Sequence, residues 1–346
     1  MMRSSVMCSF VLAGFGALTA FGQSPLPAGK TTGPGVQAPR DAKEPELLKT
    51  CKVPPPKPRP FPRGQASEIQ RPKETSEIPG VVAAGQQWKE VWEVDGNNAD
   101  GIVATKDGGI LLAQNDNSQV LKLKDGKTSV AYSSLNTSGS VAYNSKGALF
   151  VHNRGLNESI EQLEPKRKTL ANKYNGDPID CLGGVLNDMT ADSKGGVYFT
   201  DGQVFYADKQ GKITKYSDNL FTNGIVLTPD EKHLFVTNGP EVVEFDVQKD
   251  SSLTNQRSFV KLPGGGDGST FDSQGRLYVT SNGGVNVISP DGKDLGLIAT
   301  PRDVISVAFS GPDRKTLYAV SRDNAMNKDW IISLDMVAQG PKGRGK

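Results

Sequence analysis

The chain has 346 residues, of which 36% are hydrophobic, and its 40 Lys and Arg residues against 38 Asp and Glu residues leave a net charge of +2. This length is enough for one large hydrophobic core or two smaller ones. The balanced charge, with no basic cluster interleaved with aromatic residues in the folded part, argues against a nucleic-acid partner.

The amino terminus has the pattern of a secretory signal peptide, which we assign to residues 1–22. Arg3 supplies a positive charge, an apolar stretch runs from Val6 to Phe21, and small residues favour cleavage before Gln23. The apolar stretch is short for a membrane span and is interrupted by Gly and Ser. We therefore expect an exported protein, periplasmic or secreted, with no membrane span after cleavage.

Residues 23–82 contain more than half of the chain's 22 prolines and show no apolar periodicity. This composition predicts a Pro-rich, disordered linker of polyproline type. A short helix near Ala42 to Lys49 is the one candidate element within it.

Two cysteines remain once the signal peptide is removed, Cys51 in the linker and Cys181 in the folded part. In an oxidising compartment they could form a disulfide, and the alternative is two unpaired thiols. Neither has a neighbour at CxxC spacing, so a thiolate metal site is not expected.

From Trp88 onward the sequence repeats one β-hairpin pattern at a period of roughly forty residues. Each unit has a polar or small residue, an apolar strand, a turn, and a second strand that ends in polar residues. In the unit NDMTADSKGGVYFTD the turn contains Gly195, which supplies the positive φ that a tight turn needs. The six units begin at Asp100, Gly139, Asn187, Asn223, Asp267 and Ser306.

Further strand-like runs follow most hairpins, so a complete unit offers four short strands. Six such units predict an all-β fold, a six-bladed β-propeller at residues 83–338, followed by a tail at residues 339–346. The last unit offers only three strands, and the run WKEVWEV from Trp88 to Val94 is available as its fourth. Pairing this N-terminal strand into the last blade would close the ring and remove a free sheet edge.

In a propeller the first strand of each blade lines the central channel, so the six opening residues should surround one mouth of it. Converging carboxylate and amide oxygens suit one divalent cation, Ca²⁺ first and Mg²⁺, Mn²⁺ or Zn²⁺ after it. The alternative is that Asp-Gly and Asn-Gly pairs are ordinary turn formers. Their common register favours the metal site, whose ligands would be Asp100, Asn187, Asn223 and Asp267.

The second strand of each unit runs back towards the same mouth, and its last polar residues should line a substrate pocket there. These residues are His152, Asn153, Asp201, Asn238 and Asn282. His152 could donate a proton or contact a substrate, and the alternative is a hydrogen-bonded structural histidine. The sequence has neither a GxSxG elbow nor the lysine of a phosphate-binding loop.

The motifs LNDMTADSKGGVYFTD, TNGIVLTPDEKHLFVTN and GDGSTFDSQGRLYV resemble the gluconolactonase / senescence-marker-protein (regucalcin) family of six-bladed propellers. Members of that family bind one divalent cation at the channel mouth through a Glu, two Asn and an Asp. The resemblance assigns the two asparagines to Asn187 and Asn223 and the aspartate to Asp267. Asp100, one methylene shorter, stands in place of the glutamate, and Val185 stands where sugar lactonases often carry an arginine.

The resemblance implies a metal-dependent hydrolase that acts on a small-molecule lactone or related ester, with Asp267 as general base or nucleophile. The departures at Asp100 and Val185 leave an alternative, a non-catalytic exported propeller that serves as a binding or scaffold module with a structural metal. An esterase or phosphotriesterase that uses the same metal is the other alternative. We expect a monomer.

Overall fold

Six four-stranded antiparallel sheets follow one another along the chain in the computed structural model, which describes residues 31–33, 36–37, 43–55 and 71–343. Each sheet is one blade, and within the first five blades the strands pair in chain order from the innermost to the outermost. The predicted all-β, six-bladed β-propeller is therefore confirmed.

Each blade runs from an innermost strand at the channel to an outermost strand at the rim. In that order, blade 1 contains Ile102–Ala104, Ile110–Gln114, Gln119–Lys124 and Lys127–Tyr132. Blade 2 contains Ser138–Tyr143, Leu149–Asn153, Ser159–Glu164 and Lys168–Ala171. Blade 3 contains Met189–Ala191, Val197–Thr200, Val204–Ala207 and Ile213–Lys215. Blade 4 contains Thr222–Leu227, His233–Asn238, Glu241–Val247 and Leu253–Lys261. Blade 5 contains Ser269–Phe271, Leu277–Ser281, Gly284–Ile288 and Asp294–Ala299. Blade 6 contains Asp303–Ser310, Thr316–Asp323, Lys328–Asp335 and Lys89–Asp95.

Short elements lie outside the blades. They are the strand pairs Thr31–Gly33 with Val36–Gln37 and Lys173–Tyr174 with Asp177–Pro178, the α-helix Glu44–Leu48, and the 3₁₀ helix Ile179–Leu182. The α-helix confirms the short helix expected near Ala42 to Lys49. Within the described residues, no helix combines the length and hydrophobicity that a bilayer span requires.

The ring closes through the N-terminal strand, as predicted. Lys89–Asp95 pairs antiparallel with Lys328–Asp335 and forms the outer edge of blade 6. The inner strands of blades 6 and 1 also meet, because the backbone N–H of Ile102 donates a hydrogen bond to Ser306 Oγ at 3.2 Å. The N-terminal and C-terminal parts of the propeller are thus held together at both the inner and the outer edge of one blade.

In the hairpin turns of blades 3 and 5, which form where predicted, an acidic side chain accepts backbone N–H groups of the turn. In blade 3, Asp192 Oδ1 accepts the backbone N–H groups of Lys194 and Gly196 at 2.9 and 2.8 Å. Gly195 between them has a φ of +92°. Asp272 accepts two backbone N–H groups in the same way in blade 5. The recurring Asp of the hairpin is therefore a turn residue.

Apolar side chains form a cluster at every interface between neighbouring blades in the described part of the chain. Between blades 2 and 3, for example, Phe199 and Phe205 stack with ring centroids 5.3 Å apart and pack with Phe150. Each blade is covered on both faces, which explains why all four residues of Val197–Thr200 are buried. Burying each such aromatic side chain contributes about 2–3 kcal/mol.

Both predicted boundaries of the propeller need correction. The sequence predicts a linker at residues 23–82, but Ile78, Val81 and Val82 are buried in the cluster between blades 5 and 6. This apolar group is too short to produce a periodic signal. At the other end, the backbone N–H of Gly340 donates to the carbonyl of Arg314 at 2.8 Å, so ordered contacts extend into the predicted tail, residues 339–346. The signal peptide lies outside the described residues.

A disulfide joins Cys51 to Cys181, with Cα atoms 5.7 Å apart, and so decides between the two states that the sequence left open. It fixes residues 43–55 to the loop between blades 2 and 3. The backbone N–H of Lys52 also donates to Asp177 Oδ2 at 3.1 Å. Part of the predicted disordered linker is therefore attached to the propeller.

Replacing both Cys51 and Cys181 by serine is expected to lower the free energy of unfolding by about 2–4 kcal/mol. The disulfide connects residues 130 positions apart, and its loss increases the conformational entropy of the unfolded chain. Chemical denaturation of the oxidised protein, the reduced protein and the double variant measures the effect. Equal denaturation midpoints for all three would contradict it.

Candidate functional site

The residues that open the repeats occupy equivalent positions at one end of the central channel, the channel mouth. In three blades the opening residue donates its backbone N–H to the carbonyl at the matching place in the second strand, at 2.9–3.1 Å. The three pairs are Asp100 with Ala113, Asn187 with Thr200, and Asp267 with Thr280. In blade 4, Gly224 N–H donates to Thr237 Oγ1 at 2.7 Å. The repeat register read from the sequence is thus reproduced in three dimensions.

Three of the four predicted ligands are followed by a glycine that permits close contact between neighbouring inner strands. A Cβ atom on Gly224 would lie 2.1 Å from the carbonyl oxygen of Asp267. Gly101 and Gly268 donate their N–H groups to the next inner strand, to the carbonyls of Gly139 and Ile305, both at 2.9 Å. None of these three glycines has a positive φ. The Asp-Gly and Asn-Gly pairs therefore serve strand packing, and the alternative that they form turns is wrong.

Asp267 is a strongly perturbed acid at the channel mouth. The pKa of its carboxyl group is raised from 3.8 to about 8, chiefly by burial and also by the nearby charges of Asp100 and Asp188. Arg322 and a hydrogen bond from the Asn223 side chain act in the opposite direction. A carboxyl group with this pKa is mainly protonated at neutral pH, so the site favours a positively charged ligand that would replace the proton.

The oxygen atoms at the channel mouth fit a hard divalent cation. Asn223 is 2% exposed, and its Oδ1 has no hydrogen-bond partner in the described part of the chain. An unpaired buried carbonyl oxygen is costly unless a ligand contacts it. Asn187 is partly exposed, and both polar contacts of the Asp100 carboxylate within the described residues fall on its Oδ2 atom. Asp100, Asn187, Asn223 and Asp267 could together hold such an ion.

Three charged residues at the channel mouth, which are buried or nearly so, were not predicted from the sequence. Asp188 joins three blades, because its carboxylate accepts Ser140 Oγ–H at 2.7 Å and the backbone N–H of Ile225 at 3.1 Å. Arg154 pairs with Asp100 at 3.1 Å, and Arg322 hydrogen-bonds to Asp329 at 2.7 Å. Asp188 directly follows a predicted ligand and enters an apolar strand, and this placement is a signal that could have identified it.

The arginines gave a weaker signal in the sequence. Arg154 follows the second strand of blade 2, and Arg322 lies near the end of the second strand of blade 6. These are the places at which polar rim residues are expected, but the hairpin pattern marks neither arginine. Their long side chains reach across blades, which no local pattern reveals.

The predicted pocket residues differ in their surroundings. His152 is fully buried, and its Nε2–H donates to the backbone carbonyl of Asn187 at 2.7 Å. The side-chain oxygens of Asn153 and Asn238 each accept a backbone N–H from the connector that precedes the blade. The donors are Asn136 at 3.1 Å and Phe221 at 2.7 Å. The carboxylate of Asp201 is buried against Gly184. Asn282 is exposed, so a role in substrate binding stays a prediction that its position allows.

A cluster of potential metal ligands lies away from the channel mouth. His233, Glu244 and Asp246 bring three ligand atoms within 4.8 Å of one another near the start of the second strand of blade 4. Arg257 pairs with Glu244 at 2.7 Å and with Asp246 at 2.8 Å. Because the guanidinium already compensates both carboxylates, this cluster has no need of a cation.

Comparisons with known proteins agree with this architecture. The chain is 27% identical over 216 residues to a gluconolactonase of Zymomonas mobilis, and the match spans 52% of this chain and 59% of that protein. It is 26% identical over 314 residues to lactonase drp35 of Staphylococcus saprophyticus, covering 80% and 94% of the two chains.

Solved structures show the same fold. A gluconolactonase of Xanthomonas campestris superposes with a TM-score of 0.64 at 20% identity, over 80% of this chain and 99% of that one. A calcium-binding regucalcin of Agrobacterium tumefaciens has a TM-score of 0.59 at 15% identity, over 72% and 94%. The family model of the SMP-30/gluconolactonase/LRE-like region matches residues 82–323. The chain belongs to the SMP-30/gluconolactonase/LRE-like family.

Proposed function

We propose that this protein is an exported, metal-dependent hydrolase of lactones or related esters, with its active site at the channel mouth. The observation that carries the proposal is the contact between Asn223, whose Oδ1 is buried without a partner among the described residues, and Asp267, whose pKa is raised. Relatives named as lactonases support the reaction class. The disulfide supports export, because such bonds persist in oxidising compartments.

The chain's own residues would divide the work of hydrolysis. A bound divalent cation would supply Lewis-acid polarisation of the lactone carbonyl. Asp267, ionised when a cation replaces its proton, would take a proton from the water whose oxygen attacks the carbonyl carbon. It would then return that proton to the ring oxygen as the C–O bond breaks. Asn223 donates to the Asp267 carboxylate and so fixes its orientation. The side chain of Asn187 would contact the substrate, with its backbone carbonyl held by His152.

The alternative of a non-catalytic propeller keeps one specific observation in its favour. Asp100, a predicted ligand, is already paired with Arg154 at 3.1 Å and with Asn115 at 2.9 Å. A ligand shared in this way would weaken a catalytic metal site. In that case the cation would serve stability only, and no substrate would be turned over.

Removing divalent cations with a chelator is expected to lower the rate of lactone hydrolysis at least about 100-fold, because the carbonyl then lacks its electrostatic stabilisation. Rates are measured for a panel of lactones, aryl esters and phosphotriesters after adding back Ca²⁺, Mg²⁺, Mn²⁺ or Zn²⁺ singly. One cation should restore activity, and the preferred substrate separates a lactonase from an esterase or phosphotriesterase.

Calorimetric titration with the same four cations provides the control. The intact protein should bind one cation, and the Asn187→Ala/Asp267→Ala double variant should not. A protein that binds a cation but hydrolyses no member of the panel would support the scaffold alternative. A protein that does neither would contradict the proposal altogether.

A further inference from the structure

Arg154 takes the place in the ring at the channel mouth that belongs to blade 2. The opening residue of that blade is Gly139, which has no side chain. A Cβ atom on Gly139 would lie 1.9 Å from Nη2 of Arg154 and 2.1 Å from its Nε. The guanidinium therefore lies where a blade 2 ligand would otherwise stand, and only glycine at position 139 leaves it room. Arg154 is 1% exposed, so this position is enclosed by protein.

The guanidinium links the predicted ligands of blades 1 and 3. Its Nη2 lies 3.1 Å from Oδ2 of Asp100 and 3.4 Å from the backbone carbonyl oxygen of Asn187. Its buried Nε has no hydrogen-bond partner among the described residues. A buried guanidinium with an unsatisfied N–H depends strongly on the contacts that remain.

The other arginine near the channel mouth is compensated in a different way. Arg322 donates to the carboxylate of Asp329 from Nε at 2.7 Å and from Nη2 at 3.1 Å. It also donates to the carbonyl of Ala99 at 2.9 Å. Asp329 is not one of the predicted ligands, so Arg322 has a carboxylate of its own. The only ion pair of Arg154 in the described part of the chain is with Asp100.

A divalent cation in the oxygen ring would need the same carboxylate. Asp100 carries one negative charge, which the guanidinium and the cation would have to share. Two positive charges close together in a partly enclosed site repel each other far more than they would in water. The presence of Arg154 must therefore lower the affinity of the ring for the cation.

We propose that Arg154 is a built-in competitor that sets the cation affinity of the channel mouth by holding Asp100. This inference rests on the proposed function only in assuming that the oxygen ring binds a cation. Arg154 is a residue that acts through Asp100, without contact to substrate. The effect of Arg154 on cation affinity should depend on the positive charge of the side chain and little on the shape of that side chain.

The test is calorimetric titration of the full-length, chelator-stripped protein with Ca²⁺ alone. Arg154→Met and Arg154→Gln remove the charge and keep much of the volume, and either variant suffices if the other fails to fold. Both are expected to bind Ca²⁺ about tenfold or more tightly than the wild type. Arg154→Lys keeps the charge and should stay within about threefold of the wild type. Ca²⁺ should also raise the Tm of the neutral variants more than that of the wild type.

Neutral variants that bind Ca²⁺ no more tightly than the wild type would overturn the inference, as would a complete lack of Ca²⁺ binding by all four proteins. Lactone hydrolysis is measured separately. If the neutral variants bind Ca²⁺ more tightly while no protein hydrolyses a lactone, the role of Arg154 stands and the proposed hydrolase activity fails.

Discussion

Replacing Asp267 by asparagine is expected to lower kcat/KM for lactone hydrolysis by about 10²- to 10⁴-fold. Asparagine has nearly the same shape but cannot take up a proton from the attacking water. It also removes a negative charge that a bound cation would need. The fold should persist, because the backbone N–H of residue 267 still donates to the carbonyl of Thr280 and burial of a neutral side chain is favourable there.

The matched control for this variant is Asp291→Asn in the same blade. Asp291 is exposed in a turn and accepts a hydrogen bond from Ser289, far from any predicted ligand. Its substitution should leave kcat/KM unchanged. Thermal denaturation checks the fold of both variants, and Ca²⁺ titration reports binding apart from turnover. An Asp267→Asn protein within about twofold of wild-type activity would exclude Asp267 as the base.

The ring at the channel mouth could be predicted because its residues stand at the same position in a short sequence pattern that repeats along the chain. Asn187, Asn223 and Asp267 each stand at the same place in a hairpin pattern, and a propeller converts equal places in the repeats into neighbouring places in space. The closing strand followed from a similar argument, since the last unit lacked one strand that WKEVWEV could supply. The backbone positions around the channel mouth could therefore be predicted from the register of the repeats.

The electrostatic environment of the ring could not be predicted in the same way. In the repeat pattern Gly139 is a small residue that leaves room, whereas in the fold the guanidinium of Arg154 fills that room. The side chain of Arg154 starts after the second strand of blade 2, passes Gly139 in the first strand and reaches Asp100 in blade 1. Hairpin spacing carries no information on such a path, and the same holds for the contact of Arg322 with the carbonyl of Ala99.

Contacts between parts of the chain that are distant in sequence could not be predicted from the sequence either. Cys51 and Cys181 are 130 positions apart, so their pairing depended on where residues 43–55 dock. Val81 and Val82 are too few to form a periodic pattern, and they become part of the core only through the cluster between blades 5 and 6. His152 stands out in the sequence because histidine is rare in this chain, but its contact with the carbonyl of Asn187 required the fold.

The stability of the cation-free protein should fall as pH rises from about 4 to about 8, owing to Asp267. The pKa of this carboxyl group is 3.8 in its ordinary state and about 8 in the folded protein, with burial as the main cause. Between these values the folded state keeps a proton that the unfolded state has lost. The contribution is therefore fully present below pH 3.8 and is lost at up to about 1.4 kcal/mol per pH unit until the folded group ionises.

Comparison of the wild type with Asp267→Asn isolates this contribution, because the other ionisable groups are common to both proteins. In chelator, the free energy of unfolding of the wild type should decline relative to the variant between about pH 5 and 8 in denaturant titrations. Saturating Ca²⁺ should reverse the decline, since a cation favours the ionised carboxylate and replaces the proton. If the difference in the free energy of unfolding between the wild type and Asp267→Asn stays constant with pH in chelator, Asp267 ionises with an ordinary pKa. The channel mouth would then tolerate its carboxylates without a cation, and the raised pKa could no longer support a catalytic base.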